Sequence, residues 1–392
     1  MAAGSFSMQF QLLAKPAGSA CNLDCSYCFY LPKEQLYPGS AFRMTDEVLG
    51  RYLRQLFAAH EGAEVTVSWQ GGEPTLMGLP FFERAVALAE EMREPGQTVL
   101  HSIQTNGTLL DDAWCSFFKC HGFLVGLSID GPRAEHDAYR VRRGGRGSFD
   151  AAVRAWRLLR RHGVDVNVLC AVHSANASRP REVYRFFRDE LRAEFLQFIP
   201  IVEPSGESVT PRSVDPDRFG RFLIGVFDEW IRRDVGKVFV QTFDAVLGGW
   251  VGMPSLCIFA RDCTGLPVLE HTGDLYSCDH FVDTDHLLGN IEDATLAETV
   301  GSERQRAFGA AKVTTLPCTC RACEFLFACQ GECPRNRFVP APDGGEPTNY
   351  LCAGYRAFFE HVARPMTIMA ELLRAGRPPR DVTRYLAAPL SM

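Results

Sequence analysis

Cys21-Asn22-Leu23-Asp24-Cys25-Ser26-Tyr27-Cys28-Phe29-Tyr30 comes soon after a short apolar run, residues 10–14. Three further motifs stand in the same relation to an apolar run: Gly71-Gly72-Glu73-Pro74 after residues 65–69, Thr105-Asn106-Gly107 after 98–104, and Asp130-Gly131-Pro132 after 123–129. Two more runs, 164–172 and 195–201, complete a set of six, each rich in the β-branched or aromatic residues that strands prefer. Amphipathic helical segments lie between them. Thr45 or Asp46 can cap one carrying Val48, Tyr52 and Leu56 at spacing four, and Ser148 opens another through Ala152, Trp156 and Leu159 that stops at Gly163. Six strand-helix units in series predict parallel strands joined by right-handed crossovers. Glycine and proline punctuate any strand-to-helix turn, so each motif alone says little. Together they fall where ligands of parallel α/β sheets and barrels gather, at the carboxyl ends of the strands.

Further along, a helical stretch over 216–233 bridges to a different pattern. Residues 268–270, a His-Thr-Gly-Asp turn and residues 275–281 read as a β-hairpin. A cysteine-rich loop follows, then a helix from about Tyr355, interrupted at Pro365 and ending near Gly376. Residues 340–347 read as an exposed loop. The expected division is residues 1–215 for the strand-helix repeats, 216–250 for a helical linker, 251–353 for the cysteine-rich domain and 354–392 for a C-terminal helix and tail.

The chain has 392 residues, 46% hydrophobic and 22% charged, within the ordinary range of globular domains. Lys plus Arg total 41 against 47 Asp plus Glu, so no basic excess marks a nucleic-acid partner. No apolar run approaches the roughly 18 to 20 residues that cross a bilayer, and the first residues lack a basic segment followed by an apolar one. A membrane is therefore not an expected partner, and the expected location is the cytoplasm. The 15 cysteines are too sparse for a disulfide scaffold yet strongly clustered. In a reducing compartment such clustering points to metal.

Cys21-x3-Cys25-x2-Cys28 can hold three irons of a cubane cluster, leaving the fourth iron open for another ligand. The competing possibility is a zinc knuckle, but a closed zinc site takes four ligands and no histidine stands near this loop. Beyond residue 250 come Cys257, Cys263, Cys278, Cys318, Cys320, Cys323, Cys329, Cys333 and Cys352. Eight of these nine suffice for two fully ligated cubanes suited to electron transfer, while zinc-ribbon sites are the alternative on spacing alone. Cys115, Cys120 and Cys170 sit in helix or strand patterns and are expected to be buried core thiols.

The cysteine loop together with Gly71-Gly72-Glu73-Pro74 resembles the radical S-adenosylmethionine superfamily, and the cysteines beyond residue 250 resemble a SPASM auxiliary-cluster domain. More narrowly, CNLDCSYCFY, QGGEPTLMG, QTNGTL, LVGLSIDGP, LQFI and the CDHFV segment resemble anaerobic sulfatase-maturating enzymes, over about residues 12 to 359. The resemblance implies an α/β fold: a partial (β/α)6 radical SAM barrel followed by a small α+β SPASM domain and a C-terminal helix. Its cofactors would be S-adenosyl-L-methionine and three [4Fe-4S] clusters. Cys21, Cys25 and Cys28 would hold the cluster that binds S-adenosyl-L-methionine. Tyr27, Gly72, Ser128, Arg140 and Val202 would contact that cofactor, with Gln70, Glu73 and Gln104 as weaker candidates. Cys257, Cys263, Cys278 and Cys333 would hold the first auxiliary cluster, and Cys320, Cys323, Cys329 and Cys352 the second. Cys318 is left over and competes with Cys320.

The activity so implied converts a Cys or Ser of a nascent sulfatase to Cα-formylglycine. A 5′-deoxyadenosyl radical removes one Cβ hydrogen, after which a proton and a second electron leave to give an aldehyde from Ser or a thioaldehyde from Cys. Hydrolysis of the thioaldehyde, with water entering and sulfide leaving, completes the cysteine route. The expected partners are an unfolded sulfatase polypeptide with a Cys/Ser-x-Pro-x-Arg motif and an electron donor such as flavodoxin or ferredoxin. Asp279, directly after Cys278, is placed to act as the base, although its position also suits an ordinary hairpin carboxylate. His280, if on a strand, would face the other way. A related peptide maturase that cross-links its substrate would share the cluster loop and Gly71–Pro74, so those features do not separate the two.

Overall fold

The computed structural model describes residues 10–206, 208–253, 256–341 and 344–386. The six expected strands are present: β1 Leu13–Lys15, β2 Glu64–Trp69, β3 Thr98–Thr105, β4 Leu124–Ser128, β5 Asp165–Val172 and β6 Phe195–Pro200. The largest boundary difference is at β1. Phe10 and Leu12 are buried as the apolar run requires, but ladder pairing begins only at Leu13. The chain forms two compact units, Met1–Ser128 with Arg140–Val166 and Asp262–Ala311, and Ile129–Tyr139 with Asn167–Arg261 and Lys312–Met392.

In the first unit β1 to β4 run parallel in chain order. The free side of β1 is taken by Val268–Glu270, parallel to it with Lys15 opposite Glu270, and the sheet continues antiparallel through Asp274–Tyr276 to Leu287–Asn290. The expected second hairpin strand stops at Tyr276, and residues 277–281 turn, with the Phe281 amide donating to the Cys278 carbonyl at 3.0 Å. Thr45 caps the helix Asp46–Ala59 by accepting from the Val48 amide. Its buried face is Leu49, Tyr52, Leu53, Leu56 and Phe57, so the apolar stripe is centred on Leu49 and leaves Val48 half-exposed. Trp69 at the end of β2 meets Tyr52, Phe81 and Phe82 edge-on at 5.7 to 5.8 Å between ring centroids. The helix Phe149–Arg161 buries Ala152, Trp156 and Leu159 as its spacing predicts. Ser148 does not cap it. Its hydroxyl donates to the Arg140 carbonyl instead, at 2.8 Å.

In the second unit β5 and β6 pair in parallel, and Phe239–Val240 extends β6. The helix Pro216–Arg233 has the expected bounds, capped by Asp215. It meets the long helix Cys352–Arg374 at two glycines: a Cβ on Gly354 would lie 2.1 Å from the Pro216 carbonyl oxygen, and one on Gly220 2.7 Å from that of Gly354. Contrary to expectation the long helix begins at Cys352 and runs unbroken through Pro365. Burial of Val362, Met366 and Met369 on either side outweighs the lost backbone hydrogen bond. Residues 340–347 join two short antiparallel strands, Arg337–Val339 and Thr348–Asn349, with 342 and 343 outside the described residues. Cys115 and Cys170 are buried as expected, but Cys120 is exposed, at the last turn of its helix on the solvent side. Among the described residues no helix is long and apolar enough to cross a membrane.

Candidate active site

The loop after β1 is fastened by the motifs that follow the next two strands. The Gly72 amide donates to the Gly18 carbonyl and the Glu73 amide to the Ala20 carbonyl, each at 2.8 Å, just before Cys21. The approach is so close that a Cβ on Gly72 would lie 2.1 Å from the Ala20 oxygen, which only glycine tolerates. Glu73, fully buried, accepts from the Thr75 amide and hydroxyl, the Thr105 hydroxyl and the Asn106 amide at 2.5 to 3.0 Å. Burial raises its carboxyl above the usual range while these donors pull it back. Asn106 then donates to Asn22 at 2.9 Å, with the Cys21 sulfur 3.8 Å from the same nitrogen, and Asn22 donates to Thr108 at 2.8 Å. The cysteine, Gly-Gly-Glu-Pro and Thr-Asn-Gly motifs are thus one hydrogen-bonded network. Glu73, read from the sequence as a weak cofactor contact, fastens two loops.

Cys21, Cys25 and Cys28 are all half-buried, and the Cys28 amide donates to the Cys25 carbonyl at 2.9 Å. Burial, then Glu73 and the two neighbouring thiols, pushes the Cys21 thiol up to about 12. A thiol so raised loses its proton readily only to a cation. Among the described residues no three Cys, His, Asp or Glu side chains converge as they would on a single metal ion. In a cubane each sulfur binds a different iron. Tyr27 is buried, and the Arg140 guanidinium lies 5.6 Å from its ring centroid, so these two expected cofactor contacts meet. Ser128 ends β4 in the same unit and is buried. Val202, buried beyond β6, belongs to the second unit.

Asp279 sits in the turn after Tyr276, on the strand system that extends β1, and its side chain is 18% exposed. Its Oδ1 accepts from Lys15 Nζ at 2.5 Å. Lys15, the last residue of β1, is 1% exposed, and its ammonium also donates to Gln70 at 2.8 Å and lies 4.3 Å from the Tyr30 ring centroid. Gln70 donates to Gln104 at 2.6 Å. On the other side Tyr30 donates to Glu270, whose second oxygen is 3.0 Å from His271 Nδ1, and His271 Nε2 is 2.6 Å from the Ser40 hydroxyl. Lys15 is the residue that the motif reading missed. The available signal was a lysine closing an apolar strand whose neighbours all carry motifs at that end. Because Asp279 and His280 lie in a turn, strand alternation does not separate them. The His280 ring is 5.4 Å from that of Phe29.

In the second unit, Cys320, Cys323, Cys329 and Cys352 line one cavity of about 390 Å³, together with Leu326 and Arg356. Cys318 is exposed and off that lining. Burial raises Cys320, Cys329 and Cys352, with mutual repulsion among thiols adding, and Cys329 reaches about 12. The donor set and the room both fit a cluster. Between Cys329 and Cys333, Gln330, Gly331 and Glu332 are all left-handed, with φ of 50°, 70° and 54°, which turns the chain sharply between the two thiols. Of the remaining cysteines, Cys263 and Cys278 lie in the first unit and Cys257 and Cys333 in the second.

Residues 16–187 match the Radical SAM superfamily, and residues 263–324 match SPASM, the iron-sulfur cluster-binding domain. The serine-type anaerobic sulfatase-maturating enzyme of Bacteroides thetaiotaomicron is 41% identical over 97% of this chain and 96% of its own. The chain belongs to the anaerobic sulfatase-maturating enzymes. The cysteine-type sulfatase-maturating enzyme of Clostridium perfringens is 34% identical over 89% of this chain and 95% of its own. The structure of anSMEcpe with bound AdoMet and Cp18Cys peptide superposes with a TM-score of 0.85 at 33% identity, covering 93% of this chain and 99% of that one. The fold is therefore the radical SAM α/β barrel followed by a SPASM domain, as the resemblance implies. This sulfatase-maturating enzyme family member is a radical SAM oxidoreductase whose cofactors are S-adenosyl-L-methionine and [4Fe-4S] clusters.

Proposed function

We propose that the chain oxidises a Cys or Ser side chain of a sulfatase polypeptide to Cα-formylglycine in the cytoplasm. The observation that carries this reading is Asp279, one residue past Cys278, held by the buried Lys15 at the same sheet end as the cysteine loop. Cys21, Cys25 and Cys28 would hold one cluster, Cys257, Cys263, Cys278 and Cys333 a second, and Cys320, Cys323, Cys329 and Cys352 a third. Tyr27, Gly72, Ser128, Arg140 and Val202 would hold S-adenosyl-L-methionine. When bound and reduced, these groups supply a 5′-deoxyadenosyl radical and an electron acceptor. The protein orients the target Cβ and excludes water. Asp279 takes the thiol or hydroxyl proton at Oδ2, since Oδ1 is engaged by Lys15. The divisions 1–215, 216–250, 251–353 and 354–392 belong to this reading. So do a Cys/Ser-x-Pro-x-Arg target and a flavodoxin or ferredoxin donor.

Anaerobic incubation with Cys and Ser versions of such a peptide tests it by mass spectrometry. Formylglycine is the expected product; a cross-linked peptide overturns the reading. Asp279→Asn is expected to keep its iron and release 5′-deoxyadenosine while formylglycine falls by about 100-fold or more. Full conversion by that variant would remove Asp279 from the mechanism.

A further inference from the structure

Residues 140–148, Arg-Val-Arg-Arg-Gly-Gly-Arg-Gly-Ser, have no part in the chemistry assigned above beyond Arg140. They form a small hairpin closed by the Val141–Gly147 bridge and by the Arg142 amide donating to the Arg146 carbonyl at 2.7 Å. Its tip, Gly144-Gly145, has φ of 93° and 83°, and a Cβ on either would meet nothing within 4 Å. Arg142, Arg143 and Arg146 are all exposed, and none of them is ion-paired. Three unneutralised guanidinium groups within five residues stand out on a chain of net charge −6.

This hairpin is joined to the cysteine loop itself. Leu23 bridges Arg142, and the Asp24 amide donates to the Val141 carbonyl at 2.8 Å. A second tie runs from Arg154, which donates to the Thr108 carbonyl at 3.1 Å, while Thr108 accepts from Asn22. Asp24 and Ser26 are exposed on either side of the half-buried Cys25, so the loop that carries the three thiols reaches the surface beside the arginines. Asp24 is the one carboxylate in this stretch of loop and hairpin.

We propose that this hairpin is the docking surface for an acidic one-electron carrier protein, which reduces the cluster of Cys21, Cys25 and Cys28 from this face. The inference rests on the reading that those thiols hold a reducible cluster. The step moves one electron and no atoms: the carrier is oxidised by one electron and the cluster reduced by one. Exposed arginines without partners give long-range attraction and orientation to an acidic surface. Their attachment to the cysteine loop favours a redox partner over the substrate polypeptide.

The test uses a strongly acidic flavodoxin and the triple variant Arg142→Glu/Arg143→Glu/Arg146→Glu, whose side chains support no packing. Exposed Arg54, Arg232 and Arg364, changed together to Glu, form a charge-matched control. Calorimetric titration at low ionic strength is expected to show flavodoxin binding weakened by about 10-fold or more in the hairpin variant and little changed in the control. Flavodoxin-driven release of 5′-deoxyadenosine should fall in parallel, while dithionite-driven release stays at the wild-type rate. Equal weakening by the control, unchanged affinity, or a wild-type chain that does not bind flavodoxin would overturn the proposal. So would a variant whose only defect is a raised KM for the peptide. Loss of dithionite-driven release in the wild type would instead strike the cluster assignment on which the proposal rests.

Discussion

Lys15 and Asp279 form a pair in which the cation has almost no access to water while the carboxylate, 18% exposed, keeps some, so breaking the pair costs stability without abolishing the fold. Lys15→Met should strand the carboxylate and destabilise the protein by about 3 kcal/mol, and Lys15→Met/Asp279→Asn should recover most of that loss. Denaturant unfolding of the four proteins measures the coupling. His101 shows the opposite strategy. Burial in β3, with its ring stacked 4.8 Å from Phe123, lowers it from 6.5 to about 4, so the folded chain holds it neutral. An unfolded chain takes up this proton below about pH 6.5 and the folded chain only below about 4. Stability from His101 is therefore full above 6.5 and lost as pH falls to 4, by up to about 3 kcal/mol. His101→Phe should keep the stack and remove that share of the acid sensitivity, seen by comparing the two melting temperatures at pH 7 and 4.5. Neither residue was legible as functional: a lone lysine or histidine carries no spacing.

At the level of elements, alternating apolar runs and motif placement located all six parallel strands, because period and turn chemistry are local properties. Pro365 costs the long C-terminal helix a backbone hydrogen bond, a local effect that predicts a break, while contacts from distant segments hold the helix on both sides of it, His361 to Asp228 at 2.7 Å and Thr367 to Trp250 at 3.2 Å. Pro365→Ala should accordingly stabilise the protein by about 2 kcal/mol, read as a higher denaturation midpoint at unchanged slope. The hairpin strand read too long, over 275–281, fails for the complementary reason. Its apolar residues past Tyr276 are used in a turn that sets Cys278 and Asp279.

Across the molecule, cohesion is uneven. The helix Cys318–Arg321 buries none of its side chains and Leu326–Cys329 only Ala328, so the segment around the 390 Å³ cavity has little apolar core of its own. Stripping iron with a chelator under oxidation should make exposed Arg321 an early trypsin site while the helix Pro216–Arg233 stays protected. Peptide mapping after brief digestion checks the order of cleavage.

Apolar runs and strand-end motifs, being read along the chain, were enough to determine the class of fold; cysteine spacing alone left zinc open, and the iron-sulfur chemistry and the family were legible through the resemblance that the ordered motifs carry. Which residues serve one another across 264 positions, as Lys15 and Asp279 do, was decided only when Val268–Glu270 paired beside β1. Strand pairing between distant segments depends on complementary burial that no local pattern encodes.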